Sequence, residues 1–208
     1  MKQHIPNILT YARLVLCLVM FAGFGVMSHW LSGRPPLMDP VLVSAIIVVS
    51  FVVAAVTDFL DGYLARKWHV VSMTGAILDP IADKVLVCGA ILGLCVVAPI
   101  PGILIPGGVI LFREFAVSAL REVLAPKGIK LPVTFLAKTK TALQLIALTA
   151  LMVVIFYRIW SVQGDMQMLN NALGAAKGFY AFAAVVTVWT GIEYAMAARK
   201  ALKAYSAA

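Results

Sequence analysis

The sequence predicts an all-α integral membrane protein with six transmembrane helices and both termini on the cytosolic side. Three observations predict it. The 208 residues are 62% hydrophobic and only 12% charged, at a mean hydropathy of +0.98, more apolar surface than a soluble domain of this size can hide. Six apolar segments are each long enough to cross about 30 Å of hydrocarbon at about 1.5 Å per residue. The Lys and Arg residues flanking them fall mostly on one side of the alternating segments.

The segments run near 8–29, 41–66, 76–98, 103–124, 139–159 and 174–198. Residues 5–27 have the apolar look of a signal peptide, but the run is long, Arg13 interrupts it and no A-x-A-like site follows, so it is read as an uncleaved first helix. Pro35-Pro36 separates the first helix from the second. The third contains Pro80, which a helix tolerates in its first turn or at depth, where neighbours satisfy the freed carbonyl. Pro99-Ile100-Pro101-Gly102, Pro126 with Gly128, and Gln163-Gly164-Asp165 mark the later connections. With no long linker, low-complexity tract or convincing internal repeat, residues 1–208 read as a single domain. Trp30, Trp68 and Trp160 fall at segment ends, where interfacial indoles are expected.

Orientation follows from the basic residues. Lys2, Arg66, Lys67, Arg121, Lys127, Lys130, Lys138, Lys140, Arg199, Lys200 and Lys203 fall on one side, against Arg34 and Arg158 in loops on the other. The net charge of +8 is accounted for by this bias and by an anionic inner leaflet, so nucleic acid is not an expected partner. Cys17, Cys88 and Cys95, an odd number without a C-x-x-C pair, argue against a disulfide scaffold or a zinc site.

Between Asp58 and Asp83 four carboxylates, two glycines, an alanine and an arginine stand beside nearly uncharged segments. A carboxylate near bilayer depth costs about 2.5–3.5 kcal/mol on insertion scales, which makes such acids functional candidates. Like charges about 6 Å apart repel by roughly 3 kcal/mol at an effective dielectric near 20, so the cluster is partly protonated or holds cations, and the spacing favours cations. On a helix Asp58 and Asp61, three apart, share a face, as do Asp79 and Asp83, four apart. Gly62 and Ala65 continue the stripe of Asp58, and Gly75 lies one turn before Asp79, so a flat base or sugar could approach the backbone. Arg66 supplies a fixed charge for phosphate. Oxygen ligands alone, without Cys or His among them, suit Mg²⁺ or Mn²⁺, and two carboxylate pairs can hold two ions. His69 reads as interfacial. A divalent-cation transporter is the alternative from a different class, but transporters hold ions near mid-bilayer on broken or repeated helices, whereas these acids gather at one surface.

Asp58-x2-Asp61-Gly62-x2-Ala65-Arg66-x8-Gly75-x3-Asp79-x3-Asp83 resembles, without gap or substitution, the signature of the CDP-alcohol phosphotransferases. The resemblance extends to Ile5-Pro6-Asn7-Ile8-Leu9-Thr10 with Arg13, Leu78 through Lys84, Arg113-Glu114-Phe115 through Arg121-Glu122, and Lys138-Thr139-Lys140-Thr141 with Gln144. It covers about residues 5–145, the last two helices matching mainly in hydrophobic character. It implies that family's six-helix fold and transfer of a phosphatidyl group from CDP-diacylglycerol to an alcohol, with release of CMP. It further implies a homodimer in the bacterial inner membrane, among membrane lipids, with two divalent cations at the cytosolic surface. By position, Asp58, Asp61 and Asp79 would bind one ion and Asp58, Asp79 and Asp83 the other. Gly62, Ala65, Arg66 and Gly75 would line the CDP moiety, and Asp83 would be the catalytic base.

Glycerol 3-phosphate is the acceptor this pattern favours, through the R-E-F…S-A-L-R-E segment. Its phosphomonoester needs fixed cationic donors. Arg113 and Arg121 lie eight apart on one broad face of the fourth helix, Lys138 opens the fifth, and Thr10 and Arg13 stand near the inner end of the first. Positive-inside bias accounts equally well for Arg121 and Lys138, while Arg13 and Arg113, set in apolar stretches, favour a phosphate pocket. The alternative within the family is a cardiolipin-forming enzyme with phosphatidylglycerol as acceptor, because the Leu-Asp-Pro-x-Ala-Asp-Lys run is common to both.

Overall fold

Six α-helices make up most of the computed structural model, which describes residues 5–68, 73–129, 135–161 and 165–206. They are α1 (Ile5–Leu31), α2 (Pro40–Trp68), α3 (Met73–Val97), α4 (Leu104–Leu124), α5 (Phe135–Trp160) and α6 (Met166–Ser206), with a short 3₁₀ turn at Ala125–Lys127. No strand occurs among the described residues. Five of these helices are long and apolar enough to cross a membrane, and the chain is a multi-pass membrane protein. The sequence predicts six such spans; α4 is the helix that does not qualify. At 21 residues it is about 31 Å long, enough to span, but it carries Arg113 and Glu114 at its middle and Arg121 and Glu122 near its end.

The helix starts and ends have local causes. Asp39 caps α2, its Oδ1 accepting from the Val41 N–H at 3.1 Å, with Pro40 ideal for the first helical position. Asp165 does the same for α6, accepting from the Gln167 N–H at 2.8 Å. That cap lets α6 begin at Met166 rather than near residue 174, and Lys and Arg residues carry its far end to Ser206. Gly128 ends the 3₁₀ turn in the left-handed region at φ 68°, a conformation glycine adopts without steric penalty. Pro80 lies inside α3 rather than in its first turn, so the hydrogen bond that position 80 would donate to the carbonyl of residue 76, in the turn before Asp79, is missing.

α1 packs against α2 and α3, α6 packs against α4 and α5, and α2 meets α5 between the two groups. Phe24, Ile47, Phe51, Ile91, Leu148, Met152 and Phe156 are buried where they meet. The packing of α1 on α3 depends on glycine: a Cβ added at Gly93 would stand 2.2 Å from the Phe24 ring and one at Gly89 2.5 Å from Phe21. Small residues four apart admit a neighbouring helix in this way. Trp160 goes beyond its expected interfacial place, its indole N–H donating to Ser44 Oγ at 2.8 Å and tying α5 to α2. Outside this core, Phe59, Ile105 and Phe112 are each more than 70% exposed, a surface that suits lipid rather than water.

Candidate active site

The C-terminal part of α2 and the N-terminal part of α3 carry the acidic motif, and α1 runs alongside both. Arg13 of α1 is fully buried. Its Nη1 lies 2.7 Å from Asp58 Oδ1 and 2.7 Å from Asp83 Oδ1. One turn earlier on α1, Thr10 Oγ1 donates to Asp79 Oδ1 at 2.6 Å. Three carboxylates from two helices therefore converge on a single turn of a third. Asp58 and Asp79 are partly buried while Asp83 is open to its surroundings, and Gly75 is buried one turn before Asp79.

Beside Asp79 and Asp83 opens a cavity of about 280 Å³ whose other polar walls include Lys84, Arg113, Arg121 and Lys140. Acidic groups of α3 thus face basic groups of α4 and α5 across one space. Arg113 Nη1 donates to Glu114 Oε1 at 3.3 Å, and Lys140 Nζ contacts the same carboxylate oxygen. Arg113 Nη2 donates to Thr190 Oγ1 at 3.3 Å, while its buried Nε has no hydrogen-bond partner among the described residues. Arg121 Nε donates to the Tyr194 hydroxyl at 3.2 Å.

The structure accordingly places Arg113 and Arg121 on the same cavity as Asp79 and Asp83. It places Thr10 and Arg13 elsewhere. Both, expected at the acceptor phosphate, donate to the carboxylates, and neither is among the described residues that line the cavity. Three acids cluster where α1 runs beside α2 and α3, and the buried Arg13 guanidinium is a counter-charge for Asp58 and Asp83. The side chains of Asp61, Ala65, Arg66 and Lys138, together with Gly62 and His69, lie outside the described residues.

The carboxylates Asp58, Asp79 and Asp83 offer only oxygen, the donor that Mg²⁺ and Mn²⁺ prefer. Among the described residues no group of three acidic, His or Cys side chains is arranged to hold an ion; the motif's remaining acid is Asp61. The donor chemistry fits a divalent ion.

A family model described as CDP-alcohol phosphatidyltransferase matches residues 3–198. The chain belongs to that family. Its relatives include bacterial proteins named CDP-diacylglycerol–glycerol-3-phosphate 3-phosphatidyltransferase. The one from Rickettsia bellii is 37% identical over 95% of this chain and 97% of its own length. Those from Haemophilus influenzae, 35% identical over 97% of both chains, and Pectobacterium atrosepticum, 35% identical over 96% and 97%, match as completely. The family match runs into α6, well past the motifs that carry the resemblance in sequence.

In the sequence, Lys84, Glu114, Lys140 and Gln144 stand only as parts of the motifs that carry the resemblance, Lys140 also in the basic bias, and none is a candidate site residue, yet all four line the cavity. Glu114 and Lys140 had a usable signal, because a charge inside an apolar helix is itself a functional pointer. The α6 partners Thr190 and Tyr194 had none, since a hydroxyl in a long apolar helix reads as ordinary packing.

Proposed function

We propose that this chain transfers the phosphatidyl group of CDP-diacylglycerol to glycerol 3-phosphate, giving phosphatidylglycerophosphate and CMP. Residues 1–208 act as one catalytic domain, two copies associate as a homodimer, and the site faces the cytosol in the bacterial inner membrane. The observation that carries the reading is the junction of the acidic cluster with a cavity walled by Arg113 and Arg121, in a chain of this family. The cardiolipin-forming and ion-transport alternatives are not favoured by relatives that carry the glycerol 3-phosphate name over almost their whole length.

In this reading Asp58, Asp61, Asp79 and Asp83 hold two divalent cations. Bound there, the ions would neutralise the diphosphate and stabilise the charge on departing CMP. Gly62, Ala65, Arg66 and Gly75 line the CDP moiety, with Arg66 on its phosphate. Arg113, Arg121 and Lys138 take the phosphate of the acceptor; the partnerless Nε of Arg113 is a buried donor that a phosphate oxygen could satisfy. The acceptor hydroxyl oxygen bonds to the phosphatidyl phosphorus, the bond from phosphorus to CMP breaks, and CMP leaves with the electron pair. Asp83, the most open of the three described acids, accepts the hydroxyl proton.

Incubating purified protein with CDP-diacylglycerol, Mg²⁺ and each candidate alcohol tests the reading. Phosphatidylglycerophosphate and CMP are expected with glycerol 3-phosphate. Cardiolipin from added phosphatidylglycerol would overturn the acceptor, and cation flux in vesicles without CMP would overturn the chemistry. Within the same assay Arg113→Ala is expected to weaken acceptor use by roughly 10–100-fold, since a charge-assisted hydrogen bond is worth about 1.5–3 kcal/mol. CDP-diacylglycerol use should change little, its phosphates being assigned to the ions and Arg66. Equal losses for both substrates would remove Arg113 from an acceptor-specific role.

A further inference from the structure

We propose that α6 tunes acceptor recognition without touching the acceptor, with Thr190, Gly191 and Tyr194 as positioning residues for Arg113 and Arg121. The inference rests on the proposed phosphate-binding role of those two arginines. The described residues that line the cavity come from α3, α4 and α5, yet both arginine side chains are held by α6.

The contacts are complementary. The Thr190 hydroxyl donates to the Thr187 carbonyl at 3.0 Å, which turns its lone pairs toward the Arg113 Nη2 that donates to it at 3.3 Å. The next residue, Gly191, gives the arginine stem room: a Cβ there would stand 2.9 Å from Arg113 Cγ and 3.5 Å from its Nε. One turn further along, the Tyr194 hydroxyl accepts from Arg121 Nε at 3.2 Å. The Tyr194 ring centroid is 5.3 Å from the Arg121 guanidinium carbon, within cation–π range.

These contacts belong to a wider polar chain. Thr187 accepts from Gln144 of α5 at 2.8 Å. Lys140, one turn before Gln144, contacts Glu114 of α4, and Glu114 also accepts from Arg113. Hydrogen bonds therefore link α4, α5 and α6 through largely buried side chains. Thr and Gln bonds of this kind hold helices together inside a bilayer, where dry surroundings strengthen each bond and restrict the side chains that make it. An arginine stem carries a large rotamer entropy. Fixing it before the acceptor arrives lowers the entropic cost of binding.

Thr190→Val keeps the shape of the side chain and removes the acceptor oxygen. It is expected to raise the KM for glycerol 3-phosphate about 5–20-fold, while kcat and the KM for CDP-diacylglycerol change by less than about 2-fold. Thr190→Ser should recover the wild-type KM, and Gly191→Ala should shift the same KM in the same direction as Thr190→Val. An unchanged KM for glycerol 3-phosphate in Thr190→Val, or equal changes for both substrates, overturns the proposal.

Calorimetric titration of the purified proteins with inorganic phosphate reads the same positioning without turnover. Wild type and Thr190→Ser should bind alike, with Thr190→Val weaker by a similar factor. If wild type makes no phosphatidylglycerophosphate while Thr190→Val still weakens phosphate binding, the reaction assignment falls and the positioning stands. Wild-type phosphate binding by Thr190→Val overturns the positioning whatever the lipid product.

Discussion

Asp83→Asn is expected to slow CMP release by at least about 100-fold, the low end of what a positioned base contributes. The substitution keeps the shape and the hydrogen-bonding reach of the side chain, so the contact with Arg13 can persist while the basic oxygen is lost. Asp58→Asn and Asp79→Asn should go further and lose ion binding together with activity, because both are assigned to both cations. Chelation of wild type should reproduce that state, and added Mg²⁺ or Mn²⁺ should reverse it. CMP release and Mn²⁺ titration of each purified variant separate the roles. A near-normal rate for Asp83→Asn removes it as base and ligand alike, and full activity in excess chelator removes the ions.

The second large effect concerns Arg13. Its guanidinium is fully buried and bridges Asp58 and Asp83 through one nitrogen. Removing the guanidinium leaves two carboxylates, both partly exposed, facing each other without compensation. Arg13→Ala is therefore expected to lower the melting temperature of the purified protein markedly and to abolish turnover. Added Mg²⁺ should raise the melting temperature of Arg13→Ala more than that of wild type, because the exposed carboxylates gain a counter-ion. Wild-type stability and rate in Arg13→Ala would show that the bridge contributes neither to holding the acids nor to their use.

Much of the site was legible because its signal is local. Asp58, Asp61, Asp79 and Asp83 stand out because carboxylates rarely occur beside apolar helices without a function, and their spacing on a helix follows from periodicity alone. Arg113 was legible for the same reason. Thr10 and Arg13 illustrate the limit. Their types and their place near the inner end of α1 were readable, but the partner each reaches depends on which helix α1 crosses, and they meet acids 69 and 70 residues away. Thr190 and Tyr194, more than seventy residues from the arginines they hold, left no mark in the sequence pattern at all.

By itself the sequence determined the membrane environment, the six helices and the family. Hydrocarbon thickness sets segment length, and helical periodicity sets which residues share a face. Neither depends on partners distant in the chain. The early start of α6 was within reach of the same reasoning, since Asp165 is a local cap. Only the tertiary structure decided which helix faces meet. It set Arg13 against Asp58 and Asp83, and it brought Lys140 to Glu114 and both cavity arginines to α6. The reason is that a buried charge takes the partner that packing brings within hydrogen-bond range. Packing depends on glycine gaps and ridge shapes summed over whole helices, which no short motif encodes.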